Sequence, residues 1–308
     1  MAENNFSLQK TLTMLLDEKK YHSLRDILST MNPADIAAIF DDLDQACLPL
    51  LFRLLPKELA AETFVEMEPE AQELLIRGFS DSELKEVIDE LYVDDAVDIV
   101  EEMPANVVQR ILSQAEPDMR KQINEILRYP EDSAGSIMTT EYVSLRPNMT
   151  VGEAILRIRR TGIDKETIYT CYVTRGHKLI GLTSVKDLLL CEDDDATIES
   201  IMQEHVITVS TLDDKEQVAQ MFSKYNFLAL PVVDTEDRLV GIVTFDDAMD
   251  VMEDEATEDM EKMAAMLPSE HPYMRSTPIE IWKNRIPWLL LLMVSATLTG
   301  IVITRFEN

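Results

Sequence analysis

Cysteine and histidine are scarce in this chain of 308 residues. The three cysteines, Cys47, Cys171 and Cys191, form no CxxC pair, so we expect reduced, structural thiols of a cytosolic protein. The four histidines are isolated from one another and from any paired cysteines, which argues against a zinc site. There is no Gly-rich phosphate loop, His–Cys cluster or catalytic triad order, so we do not expect an enzyme.

Basic residues are also few, because 28 Lys and Arg stand against 58 Asp and Glu, for a net charge of −30. This balance argues against nucleic acid, whose phosphates would be repelled, and favours cations or basic partners. The amino terminus, M-A-E-N-N-F-S, has neither the basic nor the apolar region of a signal peptide. The length and the 46% hydrophobic content suffice for two or three domains with buried cores.

The densest acidic stretch runs from Asp246 to Glu261 and holds nine carboxylates, with no basic residue between Arg238 and Lys262. It has no Pro or Gly and is rich in Ala, Met and Glu, which predicts a helix. Helical spacing gives an apolar stripe of Met249, Met252, Ala256, Met260 and Met263. It also gives an acidic stripe of Asp247, Asp250, Asp254, Glu258 and Glu261. Like charges four residues apart repel by roughly 0.2–0.5 kcal/mol per pair, so groups outside the run must neutralise this face. The alternative is a solvated acidic helix.

The amino-terminal third, from about Leu8 to Leu127, shows the pattern of short helices with frequent breaks. Seven helix starts are indicated by Pro, Ser or Asp, at Asn32-Pro33, Leu55-Pro56, Glu68-Pro69, Ser80-Asp81, Val93-Asp94, Met103-Pro104 and Glu116-Pro117. Helices this short need neighbours, so we predict a superhelical domain, right- or left-handed, with an acidic surface. Asp94 and Asp98 would face the same way on one helix, although an N-cap plus a surface acid is an alternative for this pair.

Two segments in the middle of the chain repeat each other. S-I-M-T-T-E-Y-V-S-L begins at Ser136 and S-I-M-Q-E-H-V-I-T-V begins at Ser200. Further on, L-I-G-L-T-S-V-K-D-L from Leu179 matches L-V-G-I-V-T-F-D-D-A from Leu239. Each copy predicts the order strand, helix, strand, strand, helix. The predicted strands are apolar and β-branched, and in the predicted helices the apolar residues recur about every 3.6 positions.

The predicted strands are 143–145, 168–173 and 179–183 in the first copy and 206–209, 228–233 and 239–243 in the second. The predicted helices between them are 151–160 and 215–225. Gly181 and Gly241 occupy equivalent positions inside strands, which indicates a bulge or a close approach of backbone.

This duplication resembles a tandem of cystathionine-β-synthase (CBS) domains over roughly Asp132 to Met252. Besides the repeated I-M and V/I-G-L/I, each copy carries a hydroxyl-x-x-Asp motif, Ser184 with Asp187 and Thr244 with Asp247. The resemblance implies a module that binds adenine nucleotides or senses other small ligands. In that family the hydroxyl and the Asp of this motif hold a ribose.

The nucleotide contacts implied by the resemblance are Tyr169, Ser184, Lys186, Asp187 and Phe227. The aromatic rings would cover the adenine, and Lys186 would lie near the phosphates. Alternatively, Ser184 and Thr244 are simply the N-caps of their helices. Both interpretations stay open for Asp187, whereas a cation or cap role is favoured for Asp247.

An apolar span of eighteen uncharged residues runs from Ile286 to Ile303. At roughly 1.5 Å per residue it is about 27 Å long, close to the thickness of a bilayer core. Trp282 and Trp288 lie at its beginning, and Lys283 and Arg285 flank its upstream side. These residues predict a membrane helix with the large amino-terminal part in the cytoplasm; a buried soluble helix is the alternative.

Helical solenoid, CBS tandem, acidic helix and membrane segment, in that order, look like the cytosolic part of an MgtE-type magnesium channel. The supporting motifs are Y-P-E-D-S-A-G-S-I-M-T from Tyr129, L-P-V-V-D from Leu230 and T-F-D-D-A-M-D-V-M-E-D-E-A-T-E-D from Thr244. We therefore expect a helical domain (1–130), CBS domains (131–199 and 200–247), an acidic plug helix (248–275) and a first transmembrane helix (284–305). In this family the chain continues into five membrane helices that form a dimeric pore, so the sequence as printed would stop after the first.

The resemblance implies regulatory Mg²⁺ ions between the helical domain, the CBS pair and the plug helix. Carried over position by position, the ligands would be Glu62, Asp94, Asp98, Gly135 through its carbonyl, Glu216, Asn226, Asp247, Asp250, Glu255, Glu258 and Asp259. Asn226 departs from the family pattern, where an acidic residue is expected. Its amide offers an oxygen without a charge, so a ligand role there stays open.

Charge then suggests how the family's feedback valve works. Without cation the acidic faces repel one another, and bridging Mg²⁺ favours a compact state that closes the pore. We expect a multi-pass protein of the cell membrane that forms a homodimer through its CBS domains and binds divalent cations, with ATP as a further candidate ligand.

The main rival is an adenine-nucleotide-sensing CBS module of a membrane protein, in which the acidic helix is incidental. An enzyme with a regulatory CBS insert is a weaker rival. Selectivity for Mg²⁺ over Ca²⁺, Mn²⁺ or Co²⁺ stays open, because oxygen ligands accept all of them to some degree. Whether Asn308 is a natural end also stays open.

Overall fold

The computed structural model describes residues 2–41, 43–264, 266 and 278–306. Two compact units divide the chain, one formed by Met1–Asp213 with Leu228–Val243 and the other by Asp214–Phe227 with Thr244–Asn308. The predicted class, a helical domain followed by tandem CBS domains and an apolar helix, is confirmed.

The first unit begins with a stack of short helices. They are α1 (Ala2–Asp17), α2 (Tyr21–Leu28), α3 (Pro33–Asp41), α4 (Leu48–Phe52), α5 (Lys57–Val65), α6 (Pro69–Gly78), α7 (Asp81–Ile88), α8 (Val93–Glu102), α9 (Ala105–Gln114) and α10 (Pro117–Ile126). Pro33, Pro69 and Pro117 open their helices as predicted, whereas Pro56 and Pro104 are N-caps one residue earlier. The sequence pattern gave no sign of α4.

Side chains from later helices close the carboxyl ends of earlier ones. The buried amide of Gln72 on α6 donates to the Phe64 carbonyl at the end of α5, at 2.8 Å. Arg120 on α10 donates to the Ala115 carbonyl after α9 at 2.9 Å, and Arg110 on α9 reaches two carbonyls at the end of α6. The last carbonyls of a helix have no partner within it, so these bonds tie consecutive short helices together.

The first CBS copy contains β1 (Tyr142–Leu145), α11 (Val151–Thr161), a 3₁₀ turn (Gly162–Asp164), β2 (Thr167–Arg175), β3 (Lys178–Ser184) and α12 (Val185–Leu190). Strand β1 pairs in parallel with β2, and β2 pairs antiparallel with β3. A capping box of Thr150 and Glu153 starts α11. These elements agree with the predicted order.

The second copy contains α13 (Ile198–Ile201), β4 (Val209–Ser210), α14 (Lys215–Tyr225), β5 (Ala229–Val233), β6 (Leu239–Thr244) and α15 (Phe245–Met263). Its sheet has the order β4-β5-β6, with β4 parallel to β5. The strand predicted over 206–209 is only Val209–Ser210, because 206–208 pair with no strand in the described residues.

The repeated motifs meet across the two copies. A Cβ on Gly241 would lie 2.7 Å from the Met138 sulfur, and a Cβ on Gly181 would lie 2.7 Å from the Met202 sulfur. Backbone pairing accompanies each contact, because Thr139 pairs with Ile242 next to the first glycine and Gln203 pairs with Leu182 next to the second. The predicted close approach at both glycines is therefore confirmed, and its cause is the methionine of the opposite copy.

The second unit contains α14, α15 and α16 (Pro278–Phe306). Within α16, the stretch Ile281–Phe306 is long and apolar enough to cross a membrane, and its side chains are exposed. Trp282 and Trp288 lie near its beginning. Length and composition thus agree with the predicted membrane helix.

Alanine at Gly181 or Gly241 should destabilise the CBS pair. A methyl group at either position meets a methionine sulfur and a backbone oxygen within 3.0 Å, so the two copies must shift apart. We expect each substitution to cost about 1–3 kcal/mol of unfolding free energy. Urea unfolding of the whole chain in detergent micelles measures this cost.

Gly78→Ala is the matched control, because nothing lies within 4 Å of its added methyl group at the end of α6. It should be neutral or slightly stabilising. Equal stability of all three alanine variants would contradict the proposed contact between the copies.

Candidate cation and nucleotide sites

Helix α15 carries its methionines outward and several of its carboxylates inward. Met249, Met260 and Met263 are 46%, 69% and 88% exposed, whereas Glu261 is only 7% exposed. Glu255 and Glu258 are half-buried. An amphipathic helix usually buries its apolar stripe, and here the stripe read from the sequence lies on the exposed side.

The beginning of α15 is closed by a capping box. The Thr244 hydroxyl donates to the Asp247 carboxylate, and the Thr244 N–H donates to the same oxygen at 3.3 Å. Burial raises the pKa of Asp247 to about 6, against the opposing effect of these hydrogen bonds; Asp246 and Asp250 raise it further. The predicted cap role of Asp247 is thus present, and a cation beside it would relieve the burial of its charge.

Helix α14 packs against α15 and brings a further carboxylate to it. Burial raises the pKa of Glu255, and the charges of Glu216 on α14 and of Glu258 add to this effect. Lys215 acts in the opposite direction on Glu255, and it also opposes the rise that burial causes in the pKa of Asp254. Lys262 pairs with Glu258 at 2.6 Å. In the second unit, charge effects therefore link three predicted ligands, Glu216, Glu255 and Glu258. The positive charges of Lys215 and Lys262 oppose their negative charge.

The remaining predicted ligands on α15, Asp250 and Asp259, are exposed. Asn226 is exposed as well and ends α14 in the left-handed conformation, with φ 55° and ψ 45°. Its N–H donates to the Phe222 carbonyl at 2.8 Å. Asn is one of the few residues that readily adopt this backbone, so Asn226 suits the end of α14.

In the helical domain the three predicted ligands differ in exposure. Glu62 on α5 and Asp98 on α8 are exposed, whereas Asp94 is 5% exposed. Asp94 is the second residue of α8, whose N-cap is Tyr92, so it is not the N-cap that the alternative interpretation required.

Glu141 in the first CBS copy is a residue that the sequence patterns missed. Its carboxylate accepts from the Val93 N–H at 3.1 Å and thereby caps α8 from outside the helical domain. Burial raises the pKa of Glu141, while the Val93 N–H and Lys165 lower it. No spacing rule links a residue to a helix 48 positions earlier.

Gly135 packs closely against the backbone near β4. Its N–H donates to the Thr211 carbonyl at 3.0 Å, and an added Cβ would lie 2.5 Å from the Tyr129 ring. Packing alone therefore requires glycine here, and the carbonyl role remains a prediction. Among the described residues, no three His, Cys, Asp or Glu side chains converge closely enough to hold a metal ion.

The predicted nucleotide residues of the first copy lie at the junction of β3 and α12. The Ser184 hydroxyl donates to the Asp187 carboxylate at 2.6 Å and accepts from the Asp187 N–H at 3.0 Å, forming a capping box. The capping alternative is realised, yet Asp187 and Lys186 remain exposed and Tyr169 on β2 is 67% exposed. A ligand could therefore reach all of them.

Phe227 belongs to the second unit, where its ring lies 5.3 Å from Tyr225 and 6.5 Å from Phe222. This half-buried ring caps the end of α14. Its predicted contact with adenine remains a prediction.

Comparison with known proteins identifies the same segments. A model of the MgtE intracellular N domain matches residues 31–132, and a model of the CBS domain matches residues 134–192 and 198–254. The magnesium transporter MgtE of Thermus thermophilus is 37% identical over 306 residues, which cover 98% of this chain and 68% of the relative. MgtE of Bacillus subtilis is 30% identical over 298 residues, covering 96% of this chain and 65% of the relative. The chain thus spans about two thirds of the length of these relatives.

Two crystal structures are similar to the chain. One is the cytosolic domain of the Mg²⁺ channel MgtE in complex with ATP, with a TM-score of 0.74 and 38% identity over 79% of this chain and 99% of that one. The other is the soluble part of a magnesium transporter, with a TM-score of 0.74 and 33% identity over 83% of this chain and 100% of that one. Such soluble parts therefore fold without a membrane domain.

The buried charge of Asp247 should make stability depend on pH. Because its folded pKa of about 6 exceeds the usual value, the ionised carboxylate costs stability above pH 6, and the cost falls as the pH drops toward 4. Relative to Asp247→Asn, the unaltered protein should gain about 1 kcal/mol between pH 7 and pH 5. Urea unfolding of the soluble part in EDTA measures this gain.

Asp187→Asn is the control, because it removes the same capping-box carboxylate from an exposed position. Its change in unfolding free energy measures the loss of a capping box alone. A difference between the unaltered protein and Asp247→Asn that is the same at both pH values would contradict the burial of this charge.

Proposed function

The chain belongs to the MgtE family of magnesium transporters, and from this premise we propose that it is the Mg²⁺-sensing regulatory region of a magnesium channel. Mg²⁺ bridges its acidic faces, compacts it and closes the pore. The curated relatives are magnesium transporters, and one similar structure is a cytosolic domain of a Mg²⁺ channel.

One observation carries this proposal, the inward orientation of carboxylates on α15. Glu255 and Glu258 are half-buried while methionines of the same helix are exposed. Burying carboxylates at the expense of apolar groups is unfavourable unless a cation compensates. Lys215 and Lys262 supply part of that compensation, and a divalent ion supplies the rest.

Mg²⁺ suits such a site because it keeps several of its waters and needs only one or two carboxylates directly. Two carboxylates about 4 Å apart repel by roughly 1–4 kcal/mol, depending on solvent exposure. An ion bound by Glu216 and Glu255, with waters completing its shell, converts this repulsion into attraction and holds α14 against α15. The ion favours the closed state only by the difference between its affinities for the two states.

A second copy of the chain completes the assembly. Leu156 on α11 and Leu189 and Leu190 on α12 are 57%, 64% and 69% exposed on helices that contact each other. An apolar patch of this kind favours association, and we assign it to a homodimer through the CBS domains. The apolar helix α16 enters the membrane, with Lys283 and Arg285 holding the rest of the chain on the cytoplasmic side.

Mg²⁺ should protect the soluble part from proteolysis. Bridging ions hold acidic faces together and make flexible cleavage sites less accessible, so the digestion rate should fall several-fold as Mg²⁺ rises into the millimolar range. Neutralising Asp250 and Glu258 together, as Asp250→Asn with Glu258→Gln, should reduce the protection. Gel densitometry of a limited trypsin digest at each concentration gives the rates.

The matched control is Asp246→Asn with Glu253→Gln, which removes two exposed charges from the same helix at positions outside the predicted ligand set. This control should keep the protection. A digestion rate that does not change with Mg²⁺ across the whole titration would refute the proposed sensor. Full protection of the Asp250/Glu258 variant would mean that the acidic stripe is only a solvated surface.

Adenine-nucleotide binding is a second candidate function, favoured by the exposed Ser184–Asp187 box and by the ATP complex of the similar cytosolic domain. An Asp carboxylate accepts hydrogen bonds from ribose hydroxyls. We expect ATP binding to the soluble part to weaken about tenfold or more in Asp187→Ala, because a charge-assisted hydrogen bond is lost.

Isothermal titration calorimetry with ATP tests this expectation. Glu153→Ala is the control, because it breaks the capping box of α11 in the same domain without touching the predicted nucleotide residues. Identical affinities of the unaltered protein and of Asp187→Ala would remove Asp187 from the nucleotide site. ATP binding with no effect of Mg²⁺ on digestion would favour a nucleotide sensor over a magnesium sensor.

A further inference from the structure

A cavity of about 680 Å³ opens at one end of the first CBS sheet, away from the predicted nucleotide residues. Its charged lining consists of Arg146, Arg157, Arg175 and Glu199, and His177 also lines it. Three arginines converge here although the chain as a whole has a net charge of −30. The lining of the cavity is therefore positively charged, in contrast to the negative charge of the protein as a whole.

The sheet places these residues. Arg146 directly follows β1 and Arg175 ends β2, and the two strands run in parallel with Leu145 opposite Val173. Just before these ends, the hydroxyls of Ser144 and Thr174 are 3.0 Å apart. Ligands of α/β folds characteristically bind outside the carboxyl ends of parallel strands, which is where this cavity lies.

Two of the arginines have no anionic partner of their own. Arg175 pairs with Glu199 at 2.7 Å, and Glu199 is the single acidic residue of the lining. Within the residues that the structure describes, the side chains of Arg146 and Arg157 form no ion pair or hydrogen bond. The cavity thus keeps two unused guanidinium groups, which are suited to binding phosphate in two-point fashion.

The tight turn between β2 and β3 adds His177. Gly176 and His177 both have positive φ, 60° and 71°, and the His177 carbonyl accepts from the Leu239 N–H at 3.0 Å. Gly or Asn usually occupies such positions, so a histidine here is unusual for the turn itself. An imidazole that lines a cavity with three arginines is a donor for an anion.

The size of the cavity points to more than a simple ion. Its volume falls within the roughly 300–1,000 Å³ typical of small-molecule sites and far exceeds what orthophosphate fills. The half-buried ring of Tyr142, which packs edge-on against Tyr172 at 5.9 Å, gives the cavity an apolar wall. We propose that this cavity binds a small organic phosphate, with Arg146 and Arg157 holding the phosphate and His177 assisting them.

This site is separate from the Ser184–Asp187 box. Thr170 pairs with Ser184 at one end of the β2–β3 hairpin, whereas Arg175 and Lys178 pair at the other. Thr170 and Arg175 are five steps apart along β2, which is about 17 Å at roughly 3.4 Å per residue. The proposal therefore stands whether or not ATP binds at Asp187 and whether or not Mg²⁺ compacts the chain.

Calorimetric titration of the whole chain in detergent and EDTA, with inorganic pyrophosphate and with ribose 5-phosphate as probes, tests the proposal. We expect saturable binding of at least one probe. Arg146→Gln with Arg157→Gln should weaken it by about tenfold or more, because each lost group donated a charge-assisted hydrogen bond. His177→Asn, which suits the left-handed turn, should weaken it several-fold.

Arg159→Gln with Arg160→Gln is the matched control, because it removes the same number of charges from α11, the helix that carries Arg157, at positions that do not line the cavity. This control and Asp187→Ala should bind the probes as the unaltered chain does. Absence of binding by the unaltered chain would overturn the proposal. So would an equal loss in the two double-arginine variants, which would show general charge attraction, or a loss confined to Asp187→Ala, which would place the probes at the other site.

Discussion

The charge of the α15 carboxylates is the constraint on which the rest of the second unit depends. A helix with nine carboxylates in sixteen positions can expose all of them to water, and this one does not. It turns Glu255, Glu258 and Glu261 inward and shows its methionines. Packing with α14 adds Glu216 to the same electrostatic group, and Lys215 offsets only part of it. A bound cation would lower the cost of holding these carboxylates away from water.

The two copies of the CBS pair depend on each other for their packing. They contact each other through two equivalent pairs, in which Met138 packs on Gly241 and Met202 packs on Gly181. Neither copy can bury this methionine without the other, so the duplication in the sequence corresponds to one folded module. The same module carries an exposed capping box at one end of its first sheet and an arginine-lined cavity at the other. The two candidate ligand sites thus lie on one folded module.

Element order and many boundaries could be predicted from the sequence, because periodicity and helix-start residues act locally. The predicted bounds of α14, Lys215 to Tyr225, agree with the structure, and Ser80 caps α7 at the predicted helix start. The orientation of α15 could not be predicted, because the face that a helix buries depends on its neighbours. The role of Asn226 at the end of α14 depends on its left-handed backbone angle, which no sequence pattern reveals. The role of Glu141 depends on a contact with the helical domain, far away in the sequence. Ligand roles for the acidic residues stay predictions, since a carboxylate pattern does not specify what neutralises it.

A crystal structure grown with Mn²⁺ in place of Mg²⁺, with anomalous scattering used to locate the metal, tests the central claim most directly. The account predicts anomalous peaks between α14 and α15, bound directly or through water to Glu216, Glu255 or Glu258. Peaks elsewhere only, with these three carboxylates each facing bulk solvent in the metal-saturated protein, would contradict it.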